Sequence, residues 1–143
     1  MAFERGPFLS AAFLCEKVLV EQDGVKSAIR IIDRVTHQVP GPNPPQQMQP
    51  FIYNMVLFLR FKSGEARGPH SLRITMIKPS GESPAPSQQV VHFEGEDDRG
   101  NDIVVNLLIQ LELPGLYWFE VHLEDVRVTK IPFRVIYVPV RTI

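Results

Sequence analysis

The side chains best suited to chemistry are the carboxylates of one short stretch, FEGEDDRGND, which runs from Phe93 to Asp102. Five acidic residues lie within it: Glu94, Glu96, Asp97, Asp98 and Asp102. Calcium takes about six to eight oxygen ligands at about 2.3–2.6 Å, which an acidic loop can supply. The spacing does not match a helix-loop-helix calcium motif. A loop that is acidic only because it is solvated is the competing interpretation.

The four histidines are dispersed over the chain: His37, His70, His92 and His122. His92 and His122 are predicted on polar strand faces, where Glu94 or Glu120 would add a metal ligand. Solvated surface histidines are the simpler interpretation. The sequence contains no zinc-ligand spacing, phosphate-binding glycine loop or nucleophile elbow. We therefore expect neither an enzyme nor a cofactor.

Asp33 and Trp118, together with His122, are the remaining candidates for a binding site. Asp33 shares the alternation of Ile31, which is expected to point inward, so its carboxylate either finds an arginine or backbone donors or lies beyond the buried part of the strand. We expect it to fasten the proline-rich segment that follows, with a catalytic role as the alternative. Trp118 is predicted on a polar strand face, either as a platform for a carbohydrate, peptide or partner subunit or beneath a neighbouring loop. Cys15 is interpreted as a small core residue rather than a nucleophile.

Size and composition narrow the class of protein. A chain of 143 residues, 44% hydrophobic and 22% charged, predicts one globular domain over residues 1–143. The formal net charge of −1 provides no overall field for nucleic acid, so none is expected as a partner. No segment approaches the roughly 20 apolar residues that cross a bilayer, so no membrane is expected either. The single cysteine favours a reducing, cytoplasmic location.

The elements that must position these residues are strands, because apolar and polar residues alternate along most of the chain. From Ile103 to Leu113 every odd position is apolar, and Leu72 to Met76 repeats the pattern. From Tyr53 to Phe61 both faces are largely apolar, which predicts a central strand. Tyr117 to Leu123 alternates again, as does Ile131 to Tyr137.

The connections carry clear turn signals. Asp23-Gly24 predicts a hairpin between strands Leu14–Val20 and Ala28–Val35. KPSGE, from Lys78 to Glu82, predicts a second turn, and the five prolines of Val39–Pro50 predict a long irregular connection. Near the end of the chain Val128 is out of phase, which predicts a bulge around Thr129 and Lys130, and Pro132 is expected on an edge or at that bulge.

About eight strands with regular turns predict an all-β fold: a two-layer antiparallel β-sandwich, immunoglobulin-like or jelly-roll-like. A small barrel is the alternative. Three segments, FLCEKVLVEQDGVKSAIRIIDRV, IKPSGE and LPGLYWFEVHLEDVRVTKIPFRVIYV, resemble an uncharacterised family of short bacterial proteins that carry a domain of unknown function. The resemblance implies an immunoglobulin-like β-sandwich and supplies no activity.

These observations favour a non-catalytic binding or protein-interaction module with a protein partner. We also expect a homodimer, formed through an edge strand or the Trp118 face. The alternative is a small-ligand or calcium-binding β-sandwich that uses the acidic loop from Glu94 to Asp102.

Overall fold

The computed structural model describes residues 3–143, and this part of the chain contains nine β-strands and no helix. The strands are β1 (Phe8–Val20), β2 (Lys26–Ile32), β3 (Arg34–Gly41), β4 (Phe51–Lys62), β5 (Arg67–Ile77), β6 (Ser87–Glu94), β7 (Gly100–Leu111), β8 (Gly115–Leu123) and β9 (Val126–Arg141). There is one strand more than predicted, because the segment expected as a single strand over Ala28–Val35 is divided between β2 and β3 at Asp33.

The strands form two sheets, which confirms the two-layer sandwich. One sheet has four strands in the order β2-β1-β4-β7, and the other has five in the order β3-β9-β8-β5-β6. All pairs are antiparallel except β3 and β9, which run parallel from Arg34 beside Arg134 to Gly41 beside Arg141. The sandwich is therefore antiparallel, as predicted, apart from this one pair of strands. After Asp33 the chain passes from the first sheet to the second and joins the edge of β9 in the same direction.

The core lies between the sheets and is filled by the apolar positions of the alternating segments. Tyr117, Phe119, Val121 and Leu123 are all buried, as the period of β8 predicts. β4 lies between β1 and β7 and buries side chains on both of its faces, which confirms the central-strand prediction. Leu113, predicted to point inward, is exposed because β7 already ends at Leu111.

Tyr117 anchors the connection that enters β8. Its hydroxyl donates a hydrogen bond to the carbonyl of Leu113 at 2.7 Å and lies 3.3 Å from the Leu113 amide nitrogen, which donates to it. A tyrosine near the start of this strand that bonds the backbone a few residues upstream is the tyrosine corner of immunoglobulin-like sandwiches.

The predicted irregularity in β9 is present. Val121 pairs with Thr129 and His122 pairs with Arg127, so Val128 is the extra residue of a bulge and packs against the core. Pro132 pairs with Trp118 on one side. On its other side β3 begins only opposite Arg134, so Pro132 lies where β9 is locally an edge and its missing amide removes no ladder bond.

The proline-rich segment is anchored to one end of the sandwich. Its first residues were predicted to be irregular but belong to β3, where Pro40 lies on an edge strand. Farther along, the Tyr137 hydroxyl donates to the carbonyl of Pro45 at 2.5 Å, and Met48 is buried in the core. These two contacts hold the segment to the domain.

The hairpin predicted at Asp23-Gly24 is present, with Gly24 at a φ of 86°. Its tip lies close to the start of β7, since Lys26 Nζ is 3.3 Å from Asp102 Oδ2. Lys26 pairs with Val20, whereas Asp102 is aligned through β4 with Ala11 near the start of β1. If β1 were straight, Ala11 and Val20 would lie roughly 30 Å apart. β1 must therefore fold back over the outer side of the four-stranded sheet.

The bend occurs where β1 changes its pairing partner. The β1–β4 ladder ends at Cys15, and the Cys15 thiol donates to the carbonyl of Lys17 at 3.6 Å. Opposite Glu16, Arg30 has a φ of 56°, a left-handed conformation that kinks a strand. The folded-back hairpin explains why Cys15 and two other outward-facing residues, Val56 and Phe58, are buried.

Candidate functional site

The outward positions of β3, β9, β8 and β5 form a surface that we call the cationic face. Its members are Arg34, Arg73, Trp118, Glu120, His122, Arg127, Lys130 and Arg134. Alternation places them there because their sequence neighbours, such as Leu72, Phe119 and Phe133, fill the core. Among the outward positions of these four strands, Glu120 is the single carboxylate.

Trp118 lies near the middle of the cationic face and is half-buried. The Lys130 ammonium stands 4.5 Å from the centre of its ring, a cation–π arrangement. The tryptophan is therefore covered by a lysine side chain. Of the two expectations for it, an exposed platform or a ring beneath a neighbouring loop, neither describes this arrangement fully. Any ligand stacking on the ring must first displace Lys130.

His122 is flanked by two arginines, because Arg73 is its strand partner on β5 and Arg127 its partner on β9. The Arg127 guanidinium lies 3.3 Å from Glu120 Oε2 and donates a hydrogen bond to it. Within residues 3–143 the buried Nδ1 of His122 has no hydrogen-bond partner. His92 does not face His122, because it lies on β6 and β5 separates the two strands.

The cationic face is notable because the whole chain has a formal net charge of −1. Of the five cationic side chains on this face, Arg34 pairs with Asp33 and Arg127 with Glu120, whereas within residues 3–143 Arg73, Lys130 and Arg134 form no ion pair. A face with one sign of charge concentrates ligands of the opposite sign. This arrangement can recognise an anionic partner without any chemical step.

The other outer surface, which we call the apolar side, belongs to the four-stranded sheet and its hairpin. It exposes Leu19, Ile29, Ile31, Ile52, Val104 and Leu108. Leu108 is 72% exposed, Ile52 68% and Ile31 65%. Together these six residues expose the equivalent of roughly three whole side chains, whose burial would contribute about 5–9 kcal/mol. Large exposed apolar surfaces on a soluble domain mark sites of interaction.

An ion cluster lies at one end of the apolar side. The carboxylate of Asp102 accepts hydrogen bonds from Arg60 Nε at 2.5 Å and Nη2 at 3.0 Å, and Lys26 lies beside it. The hydrogen bond from Arg60 lowers the pKa of Asp102, burial opposes this, and Lys26 adds to the lowering. The cluster fastens the hairpin tip to β4 and β7.

The carboxylates of the acidic loop are not brought together. Glu94 and Glu96 both pair with Arg99, at 2.7 and 3.7 Å, whereas Asp102 belongs to the cluster with Arg60. Across residues 3–143 no group of three or more histidine, cysteine, aspartate or glutamate side chains is arranged to hold a metal ion. The same part of the chain contains no helix long and apolar enough to cross a membrane.

Asp33 does not point inward; it lies beyond the buried part of its strand, which was the second of the two expectations for it. Its side chain is 80% exposed and pairs with the adjacent Arg34 at 3.3 Å. Ile31, whose alternation Asp33 shares, is itself 65% exposed, so these positions of β2 do not face the core, and after Ile32 the chain changes sheets. Cys15 is buried, and burial raises the pKa of its thiol. Asp33, Cys15 and the histidines do not converge in one cleft.

Sequence reasoning singled out Trp118 and His122 but missed the arginines and Lys130 around them. Each occupies a polar position of an alternating strand, so its outward direction could have been predicted. Their assembly could not, because β9, β8 and β5 become neighbours only through the sheet order.

The two sheets, the parallel pair of β3 and β9 and the tyrosine corner define an immunoglobulin-like β-sandwich. The chain belongs to a family of unknown function, DUF6941, whose profile matches residues 10–136. A search of curated protein sequences gave no match.

Solved structures similar to this chain include two Pseudomonas proteins. One is the Pseudomonas fluorescens alkylpurine DNA glycosylase AlkC bound to DNA containing an abasic site analog, with 11% identity and a TM-score of 0.43. The similarity covers 87% of this chain, which spans only 30% of that one. The other is an immunoglobulin-like protein from Pseudomonas aeruginosa, with 14% identity, a TM-score of 0.38 and coverage of 88% and 97%. Neither similarity carries an argument about function.

Proposed function

We propose that this chain is a non-catalytic protein-interaction module, located in the cytoplasm, whose cationic face binds an acidic segment of a partner protein. The observation that carries the proposal is a row of cationic side chains, Lys130 and Arg134 beside Trp118 and Arg73 and Arg127 beside His122, on a chain whose net charge is −1. Arginine forms paired hydrogen bonds with carboxylates, and tryptophan is enriched at the centres of interfaces.

A protein segment suits this face better than a nucleic acid. Duplex DNA carries one negative charge per about 1.7 Å along its axis and extends beyond a single sheet. A long polyanion would therefore also meet the carboxylates of the acidic loop, among them Glu94 at the end of β6. A short acidic segment can remain within the cationic face.

The test uses Trp118, which is the only tryptophan and lies on the proposed surface. A peptide rich in glutamate and aspartate, titrated into the full chain, is expected to change the Trp118 fluorescence, with an affinity that falls as salt rises. The double variant Lys130→Glu/Arg134→Glu should bind the peptide about 100-fold more weakly, which corresponds to about 2.7 kcal/mol.

Arg5→Glu/Lys17→Glu is the matched control, because it changes the net charge equally at exposed positions away from the cationic face. It should bind the peptide with nearly the affinity of the wild type. Equal weakening by both double variants would show that only net charge matters and would contradict the proposal. Tighter binding of an oligonucleotide than of the peptide would contradict the proposal and favour a nucleic acid as the ligand of the cationic face. Tagged purification with the same variants then identifies the natural partner.

A further inference from the structure

From the free edge of β7 we infer a second interface: two copies of this chain associate by pairing their β7 strands antiparallel, with Asn106 of each copy at the two-fold axis. The two four-stranded sheets then join into one continuous sheet, four strands from each copy. Of the edge strands that could form the expected homodimer, β7 is the one that the structure singles out. The acidic partner proposed above is not involved, because β7 and the cationic face belong to different sheets.

The free side of β7 is open. The strand pairs with β4 along its whole length and has no strand on its other side. In an antiparallel ladder about half of the residues direct their N–H and C=O groups away from the partner. Within residues 3–143, residues 103–109 form no backbone-to-backbone hydrogen bond outside the β4 ladder. Open cavities of about 320 and 130 Å³ border the strand, beside residues 101–104 and beside Leu107 and Ile109. Another strand can therefore reach these backbone groups.

β7 also lacks the features by which edge strands avoid pairing, which are lysine, proline, bulges and short length. Its segment Gly100–Leu111 contains no lysine, arginine or proline, and its register with β4 is unbroken. In contrast, β2 carries Lys26 and the left-handed Arg30, and β3 carries Pro40. β6 has eight residues against the twelve of β7 and is mostly polar. Of the edge strands in residues 3–143, β7 is thus the long, regular and apolar one.

The sequence of β7 indicates that a second β7 fits this edge. Its central residues read IVVNLLI, which is nearly symmetric in apolar character about Asn106. A two-fold axis through Asn106, perpendicular to the sheet, opposes apolar residues of the two copies: Ile103 with Ile109, Val104 with Leu108 and Val105 with Leu107. Apolar cross-strand pairs stabilise a sheet. Moving the axis by one residue in either direction would set Asn106 against Val104 or Leu108, so this register is favoured.

The charges of β7 are compatible with this register. Asp102 is the charged residue of the strand, and it is already paired with Arg60 and Lys26. In the dimer it lies opposite Gln110 of the other copy, so like charges are not opposed along the two strands. Like charges directly opposite each other would destabilise the pairing.

The folded-back hairpin leaves the paired residues uncovered. Its tip contacts β7 at Asp102, whereas farther along the strand the outward-facing Val104 and Leu108 are 37% and 72% exposed. The inward-facing Val105 and Leu107 are only half-buried, because no further strand lies beside them. All four gain an apolar neighbour when a second β7 is added.

The first test is the mass of the full chain in solution, measured by light scattering over a range of concentrations. The wild type is expected to approach twice the 16.3 kDa of one chain as the concentration rises. Asn106→Lys should weaken association by about 10-fold or more, because it opposes two lysines at the two-fold axis. Gln110→Lys is the matched control, because it adds the same charge at an exposed position of the same strand but opposite Asp102 of the other copy. It should leave the dimer intact, and a thermal melt confirms that each variant folds.

The second test reads the register with a short bis-maleimide crosslinker. Two residues at position 106 face each other within about 5.5 Å between their Cα atoms, whereas two at position 110 are about eight residues apart along the strand, roughly 26 Å. Asn106→Cys should therefore give a covalent dimer, and Gln110→Cys should not. The wild type serves as the blank, because Cys15 is buried.

A wild type that stays monomeric at all concentrations would overturn the inference. So would an Asn106→Lys variant that associates as strongly as Gln110→Lys, or crosslinking through Gln110→Cys as readily as through Asn106→Cys. Binding of the acidic peptide is measured separately and stands or falls independently.

Discussion

The outer face of the five-stranded sheet carries Lys130 and Arg134 beside Trp118 and Arg73 beside His122, whereas the outer side of the four-stranded sheet carries Ile52 and Leu108. Both surfaces are built from alternating strands that use their inward residues for the same core. The difference therefore lies entirely in residues that the core does not constrain. Charged residues on one side remain hydrated and select a partner by charge, while apolar residues on the other gain free energy only when they are covered.

The folded-back hairpin sharpens this contrast. The contact between Lys26 and Asp102 places its tip over the apolar side of the sheet, where Phe58 is 8% exposed and stacks on its β1 partner Phe13 with ring centroids 5.1 Å apart. On the other sheet, the Lys130 side chain lies over the Trp118 ring, with its ammonium 4.5 Å from the ring centre. The two sides should therefore respond very differently to substitution.

The largest effect is expected from Phe58→Ala. Removing a buried ring under the hairpin should lower the free energy of unfolding by about 3–5 kcal/mol. Trp118→Ala is the matched change on the cationic face and should cost about 1–2 kcal/mol, because that side chain is only partly buried. Urea unfolding followed by circular dichroism measures both. Equal losses would show that the hairpin does not cover Phe58.

Asp102→Asn should have the next largest effect. It removes the carboxylate that joins Arg60 and Lys26, and we expect a loss of about 1–3 kcal/mol, held down because the Arg60 side chain is 44% exposed and screened by solvent. Glu120→Gln breaks the exposed pair with Arg127 on the other sheet and should cost less than about 1 kcal/mol. Chemical denaturation at neutral pH compares the two variants.

The stability lost in Asp102→Asn is also expected to depend on pH. Because the folded-state pKa of Asp102 is lowered, chiefly by the hydrogen bond from Arg60, its contribution is fully present above the unfolded-state pKa of about 3.9. It disappears as the pH falls through the lowered folded-state value. The stability difference between the wild type and Asp102→Asn should be constant from neutral pH to about pH 5 and shrink at more acidic pH. A difference that grew on acidification would contradict the assignment.

A smaller effect is expected from Lys130→Met, which keeps the aliphatic chain over Trp118 and removes the charge. The loss of the cation–π contact should lower stability by about 0.5–1 kcal/mol. It should also change the Trp118 fluorescence emission, because the ring loses its neighbouring ammonium group. An unchanged emission spectrum would mean that Lys130 does not stay over the ring in solution.

The smallest effect is expected from calcium. Because Glu94 and Glu96 pair with Arg99 and Asp102 pairs with Arg60, about 1 mM calcium should leave the melting temperature unchanged relative to a chelator. Differential scanning calorimetry measures this directly. A clear upward shift would restore the calcium-binding alternative, since an ion that binds only the folded chain must stabilise it.

Much of the fold was predictable because strand alternation reports which side chains are buried. The inward residues of β7 and β8, the bulge at Val128 and the local edge at Pro132 all follow from local pattern and backbone chemistry. The site was predictable only in part. Trp118 and His122 were singled out individually, but nothing local to either residue indicates which arginines lie on the adjacent strands.

The sequence alone specifies the direction of each side chain within a strand. Side chains alternate with a period of two, and the hydrophobic effect buries the face that carries the apolar residues. The order and direction of the strands depend on contacts between residues far apart in sequence. Tertiary structure alone made β3 parallel to β9, turned Asp33 out to solvent at the crossing between sheets, and folded the hairpin back so that Lys26 meets Asp102. Each of these depends on closing a long loop onto a distant partner, and local patterning carries no information about that partner.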